Sequence, residues 1–255
     1  KLTESSAGDA PELVLSLEMF ERDIQPIIDE YLDDLITEDQ LRKDARAWNN
    51  YQSDYSPLVV WAKENHLDVI AANAPRRYVS LVGRRGRDAL LKVKAPADRG
   101  LPPLPYAEAS PAYAKKFRDI MKKMREKMRQ KAKDDSPKQE REPQSAAGGR
   151  TKGSGDALDA QSLWDATMAY SIAERLMAKP ESRVFHVCGS FHVADSMGIP
   201  EHLLRYRPGT RLFIVNIAAT SSFPTADADD PPGQADFVIL TDGKLPRTFD
   251  AMSGE

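Results

Sequence analysis

Arg183-Val-Phe-His-Val-Cys-Gly-Ser-Phe-His192 is an apolar run broken by a glycine, and it carries two of the chain's four histidines, His186 and His192. The part from Arg183 to Cys188 reads as a buried strand, and Gly189 and Ser190 read as the turn that ends it. Four other runs have the same character: Leu13-Val-Leu-Ser-Leu17, Leu67-Asp-Val-Ile-Ala-Ala72, Arg211-Leu-Phe-Ile-Val-Asn-Ile217 and Asp236-Phe-Val-Ile-Leu240. They are continuous rather than alternating, and helical patterns lie beside them, which is the signature of strands covered on both faces. The expected fold is α/β, a mainly parallel sheet flanked by helices, with right-handed crossovers.

The crossovers are unequal. Residues 23 to 66 hold apolar positions at helical spacing, from Ile24 and Ile27 to Trp61 and Ala62, so two or more helices separate the first two strands. About 110 residues lie between Ala72 and Arg183, far more than one crossover helix requires. A smaller helical subdomain is expected to fill the gap at 101–157, leaving 1–100 and 158–255 as the sheet domain, with Gly100-Leu-Pro-Pro-Leu-Pro105 as a stiff connector. Within it Phe117, Ile120, Met121, Met124 and Met128 recur every three or four residues among lysines and arginines. That is a basic amphipathic helix, read either as packed on the core or as a membrane-surface or partner-helix site. Residues 133–155 have almost no apolar content and read as a disordered basic insertion.

At 255 residues and 41% hydrophobic the chain is long enough for one large core and a small appendage. No apolar run reaches the roughly 20 residues that cross a bilayer. The net charge of -3 hides an asymmetry: Lys115 to Lys152 holds 14 Lys and Arg against 6 Asp and Glu, a local +8. The single Cys188 excludes an intramolecular disulfide framework and a cysteine-based zinc cluster, and its place inside an apolar strand argues against a reactive thiol. No glycine-rich phosphate loop is present, and a nucleic-acid partner is not expected. The chain opens on Lys1 rather than Met, and a removed targeting or lipid-anchor segment is expected.

Ligands of a parallel sheet lie beyond the carboxyl ends of its strands, so the residues that follow each strand are the candidates. Glu18, Glu21, Arg22 and Asp23 follow the first strand; Asn73, Pro75, Arg76 and Arg77 follow the second; Gly189, Ser190 and His192 follow the third. Gly189 would permit a tight turn, and Ser190 would cap a helix with His192 in its first turn. Each candidate also has a structural reading: Glu18 and Arg76 as an ion pair, and His186 as a hydrogen-bonded core histidine. His66 is explained by a helix C-terminus, and His202 by a short surface helix.

At these same residues the chain resembles the ChaN-like haem-binding lipoproteins of the Tiki superfamily, once called domain of unknown function 399. The resemblance rests on Ser16-Leu-Glu-Met-Phe-Glu-Arg-Asp23, Asn73-Ala-Pro-Arg-Arg-Tyr78, Ala160-Gln-Ser-Leu-Trp-Asp-Ala-Thr-Met-Ala169 and His186-Val-Cys-Gly-Ser-Phe-His192, and covers residues 10 to 220. It implies a homodimer that sandwiches haem at the helical face, with iron ligated by a tyrosine; Tyr51, Tyr55, Tyr78 and Tyr113 are the candidates. Arg76 and Arg77 would suit haem propionates, and the role implied is iron, haem or tetrapyrrole handling. It also implies an alternative, a Tiki-like metal-dependent hydrolase, with Glu18 and His192 catalytic and Glu18, His192 and His186 around a divalent metal. Of that site's two Gly-x-x-His motifs only Gly189-Ser-Phe-His192 is present. A lipoprotein-like membrane association, through the basic helix or a removed anchor, or an organellar location such as the plastid, is expected.

Overall fold

The computed structural model describes residues 11–134, 154–227 and 233–246. Its centre is a three-stranded parallel sheet in the order β2-β1-β3, with β1 at Leu13–Glu21, β2 at Val69–Asn73 and β3 at Arg183–Val187. The continuous apolar run of β1 follows from this central place, since Val14, Leu17 and Phe20 are fully buried. Burying each such side chain stabilises the fold by about 1.5–3 kcal/mol. β1 is in register with both neighbours up to Leu17, and its pairing with β2 then shifts before Glu21 meets Asn73. A ladder irregularity re-aims side chains, and this one spans Glu18.

Seven α-helices lie among the described residues, and all but α5 pack on the sheet or beside a helix that covers it. α1 (Gln25–Leu32), α2 (Glu38–Asp44) and α3 (Ser56–Glu64) bury Ile28, Leu41 and Val59 against one face. Thr37 caps α2, accepting from the Gln40 backbone N–H while the Gln40 side chain accepts from Thr37 N. The other face carries α6 (Ser154–Ala178) and α7 (Ile199–Tyr206), with Met168, Ala169 and Leu203 against Ala72. α4 (Arg76–Arg85) packs beside α6 through Val79 and Val82. β2 has β1 on one side only, and the Gln25 amide closes part of its other edge by donating to Val69 O and accepting from Ala71 N.

The connector at 100–105 is held into the body: Leu101 is fully buried in one cluster with Val82 and Leu163. Gly100, at φ +71°, lets it pass close to β1 and α4, because a Cβ there would stand 3.0 Å from Arg22 Cβ and 3.2 Å from Pro75 Cγ. In the expected subdomain at 101–157, the described residues hold one long helix, α5 (Pro111–Asp134), and no core of their own. Tyr113 and Phe117 anchor its root on Phe191. The expected disordered insertion lies mostly at 135–153, outside the described residues.

Two expectations are corrected. The fourth strand starts at Val215, not Arg211, and β4 (Val215–Thr220) pairs in parallel with β5 (Phe237–Asp242) as a separate two-stranded sheet. These strands are not buried on both faces: Ile217 and Phe237 lie exposed on one side. β3 is an edge strand with Phe185 half-exposed, so its apolar run did not signal burial on both faces.

Candidate functional site

Two groups of polar residues grow from the end of β1. The first is a buried node. His192 Nδ1 lies 2.5 Å from Asp165 Oδ1 on α6, and its Nε2 lies 3.4 Å from Glu18 Oε1. Glu18 also accepts from Gly189 N at 2.7 Å, and the Tyr113 hydroxyl donates to the second oxygen of Asp165. β1, β3's turn, α5 and α6 therefore meet at one imidazole.

Burial disfavours charge on His192, but its hydrogen bonds to Asp165 and Glu18 outweigh burial and push the ring up to about 10. Burial likewise opposes the Glu18 carboxylate, and His192 with the Gly189 N–H holds it below the usual carboxylate value. Burial raises Asp165 although His192 and Tyr113 pull it down. The bridging proton belongs on His192, because only an imidazolium donates to a carboxylate from both nitrogens.

His186 lies beside this node without joining it. Its Nδ1 is 2.9 Å from the hydroxyl of Ser16, its register partner on β1, and burial lowers the ring to about 4. It is a neutral core histidine. Among the described residues no group of three or more His, Cys, Asp or Glu could hold a metal ion. Both His192 nitrogens are occupied by carboxylates. Cys188 is pushed up by burial, consistent with an inert thiol.

The glycine the node needs is Gly198, not Gly189. Gly189 has φ −61° and ψ 139°, which any residue adopts. Gly198 has φ +71°, and a Cβ there would come within 2.6 Å of His192 O and 3.3 Å of Asp165. Ser190 caps no long helix: Ser190–His192 and Ala194–Ser196 are single 3-10 turns before α7. His202 is no surface residue; it is buried against α6, 3.2 Å from the Ser162 hydroxyl.

The second group lines an open cleft of about 880 Å³, bordered by Glu21, Arg46, Ala47, Trp48, Asn49, Asn50, Arg76 and Arg77. Arg46 pairs with Glu21 at 2.8 Å and with Asp23 at 2.6 Å, and Arg77 pairs with Asp23. Arg76 makes no ion pair among the described residues, so Glu18 and Arg76 are not partners. Arg76 and Arg77 occupy the first turn of α4, where the helix dipole is positive and the turn itself holds no acidic residue. Arg46 is held at φ +54°, a left-handed conformation uncommon for a side chain of its size.

The four tyrosines divide by accessibility. Tyr51 and Tyr55 end a single π-helical turn, Tyr51–Tyr55. Tyr51 is fully buried against Phe20, and burial followed by Glu38 raises its hydroxyl. Tyr113 is buried with its hydroxyl on Asp165. Tyr55 is half-buried edge-on to Trp48, and burial with the charge of Glu18 pushes it up to about 12. Tyr78 is half-buried with the Arg77 guanidinium 4.8 Å over its ring. Only Tyr55 and Tyr78, of the four, combine access with contact to a residue lining the cleft.

Sequence reasoning missed Asp165, Arg46 and Trp48. Asp165 had a readable signal: it is a lone carboxylate among Leu163, Ala166, Met168 and Ala169, where burial demands a partner. Arg46 and Trp48 follow an irregular turn after α2, which no spacing announces.

The geometry can be set against known proteins. A family profile described as haem-binding uptake, Tiki superfamily, ChaN matches residues 1–203. No curated protein matches the chain. A solved structure titled "Cofacial heme binding to ChaN of Campylobacter jejuni" aligns over 87% of this chain and 72% of its own, at 16% identity and a TM-score of 0.55, a likeness of fold. The chain belongs to the ChaN family of haem-binding uptake proteins in the Tiki superfamily.

Proposed function

We propose that the chain binds haem in the cleft between Arg46–Asn50 and the start of α4, with Tyr78 as iron ligand, in iron, haem or tetrapyrrole handling. The observation that carries this reading is the lining: Ala47 and Trp48 offer an apolar platform beside Arg46, Arg76 and Arg77. A volume of about 880 Å³ lies in the range of ligand sites. Arg76 and Arg77 suit the two carboxylates bidentately, and Arg77 over the Tyr78 ring would offset the charge of a phenolate ligand. Haem would supply a ferric centre, for which a phenolate oxygen is a suitable ligand. Tyr55 is the second candidate, disfavoured by the Glu18 charge beside it. The homodimer belongs to this reading: the cleft is open, and a second copy would cover the exposed porphyrin face.

Haemin titration followed by absorbance tests the site. Saturable binding weakened roughly tenfold in Arg76→Ala and in Trp48→Ala, each removing one interaction worth about 1.4 kcal/mol, is the expected result. Binding unchanged in both variants would move haem elsewhere on the chain.

A further inference from the structure

α5 is anchored at one end only. At its root Tyr113 bonds Asp165, Phe117 packs on Phe191, and the Lys116 ammonium donates to Ala194 O at 2.6 Å. At about 100° per residue, Tyr113, Phe117, Ile120, Met121, Met124 and Met128 fall in one sector of about 100°. Fractional exposure along that stripe climbs from 9% at Phe117 to 37% at Ile120, 47% at Met124 and 67% at Met128. The stripe that docks the root thus continues outward with nothing described to cover it.

The charges around the stripe are ordered. Arg118, Arg125 and Arg129 run along one flank and Lys123 along the other, with Lys116 on that side held at the root, while Lys122 falls on the far side with Asp119 and Glu126. Asp119 is further neutralised by Lys115 at 2.7 Å. We propose that the distal part of α5, from Ile120 to Arg129, docks on an anionic lipid surface, with the methionines in the acyl boundary and the basic flanks on the headgroups.

Three observations select this occupant. Basic residues on both flanks of an apolar stripe, with acids opposite, complement a surface whose apolar interior is rimmed by negative charge. A second copy of α5 would bring two basic flanks together, which is repulsive in any pairing through this stripe. No described helix is long and apolar enough to cross a membrane, so the mode is lying on the surface. The proposal does not depend on haem, and haemin titration of the same variants keeps the two readings separate.

The test is vesicle co-sedimentation of the full chain. Binding to phosphatidylglycerol vesicles at least ~10-fold above phosphatidylcholine vesicles, falling as salt is raised, is expected. Met124→Glu with Met128→Glu should abolish it; Arg125→Gln with Arg129→Gln should remove the preference for the anionic lipid; Glu126→Gln should leave it intact. All these positions are exposed, so the helix keeps its fold, which circular dichroism checks. Equal binding to both lipids, no binding, or insensitivity to the methionine changes would overturn the proposal. A dimer in sedimentation that Met124→Glu dissociates, without vesicle binding, would overturn it in favour of a second copy.

Discussion

The node and the cleft both begin in the last residues of β1, and both are made of carboxylates facing cations, yet they differ in what surrounds them. At the node Asp165 is fully buried and every charge has its partner within the fold. In the cleft Arg46 and Arg77 are half-exposed, and Arg76 has no ion-pair partner among the described residues. The same chemistry therefore does two jobs. Desolvated and satisfied, it ties four elements together; solvated and left over, it can receive an anion.

Asp165→Ala breaks this comparison most strongly. It strands His192 and the Tyr113 hydroxyl in the interior, and a loss of about 3–5 kcal/mol is expected by denaturant unfolding. Haemin affinity per folded molecule should be unchanged, because Asp165 is no part of the cleft.

The pH dependence sharpens the same point. The His192 ring is raised from 6.5 to about 10, so its contribution is complete below the unfolded value and is lost as pH rises toward 10. Unfolding between pH 6.5 and 10 should show a decline on the order of a few kcal/mol, absent in His192→Gln. Gly198→Ala comes next, at about 1–3 kcal/mol from its left-handed backbone and the clash with His192 O, whereas Gly189→Ala should fall within about 0.5 kcal/mol. Smallest for stability are Arg46→Ala and Arg77→Ala, at most about 1 kcal/mol, since half-exposed pairs contribute little; both should weaken haemin binding.

What was legible in the sequence follows the same division. β1, β2 and β3 were readable because apolar runs beside helical spacings admit few other structures. Of the residues following them, Glu18 and His192 meet at one node, and Arg76 and Arg77 border one cleft. The separation of β4 and β5 from the main sheet was not legible, because an apolar run fixes a strand and not the strand it pairs with. Nor could sequence tell Tyr51 and Tyr113 from Tyr55 and Tyr78, since a phenol reads alike whether its hydroxyl faces Asp165 or solvent. That a helix runs through Phe117 to Met128 was readable from its period, but its bounds at Pro111 and Asp134 were not, and which of its apolar residues find the core depends on where the body ends.

The most direct test of the haem site is the absorbance spectrum of the haemin complex in Tyr78→Phe beside Tyr55→Phe, with circular dichroism as the control for folding. A ferric tyrosinate spectrum in the unaltered chain, lost in Tyr78→Phe and kept in Tyr55→Phe, is the expected result. The same spectrum surviving in Tyr78→Phe would contradict the ligand and the cleft built around it.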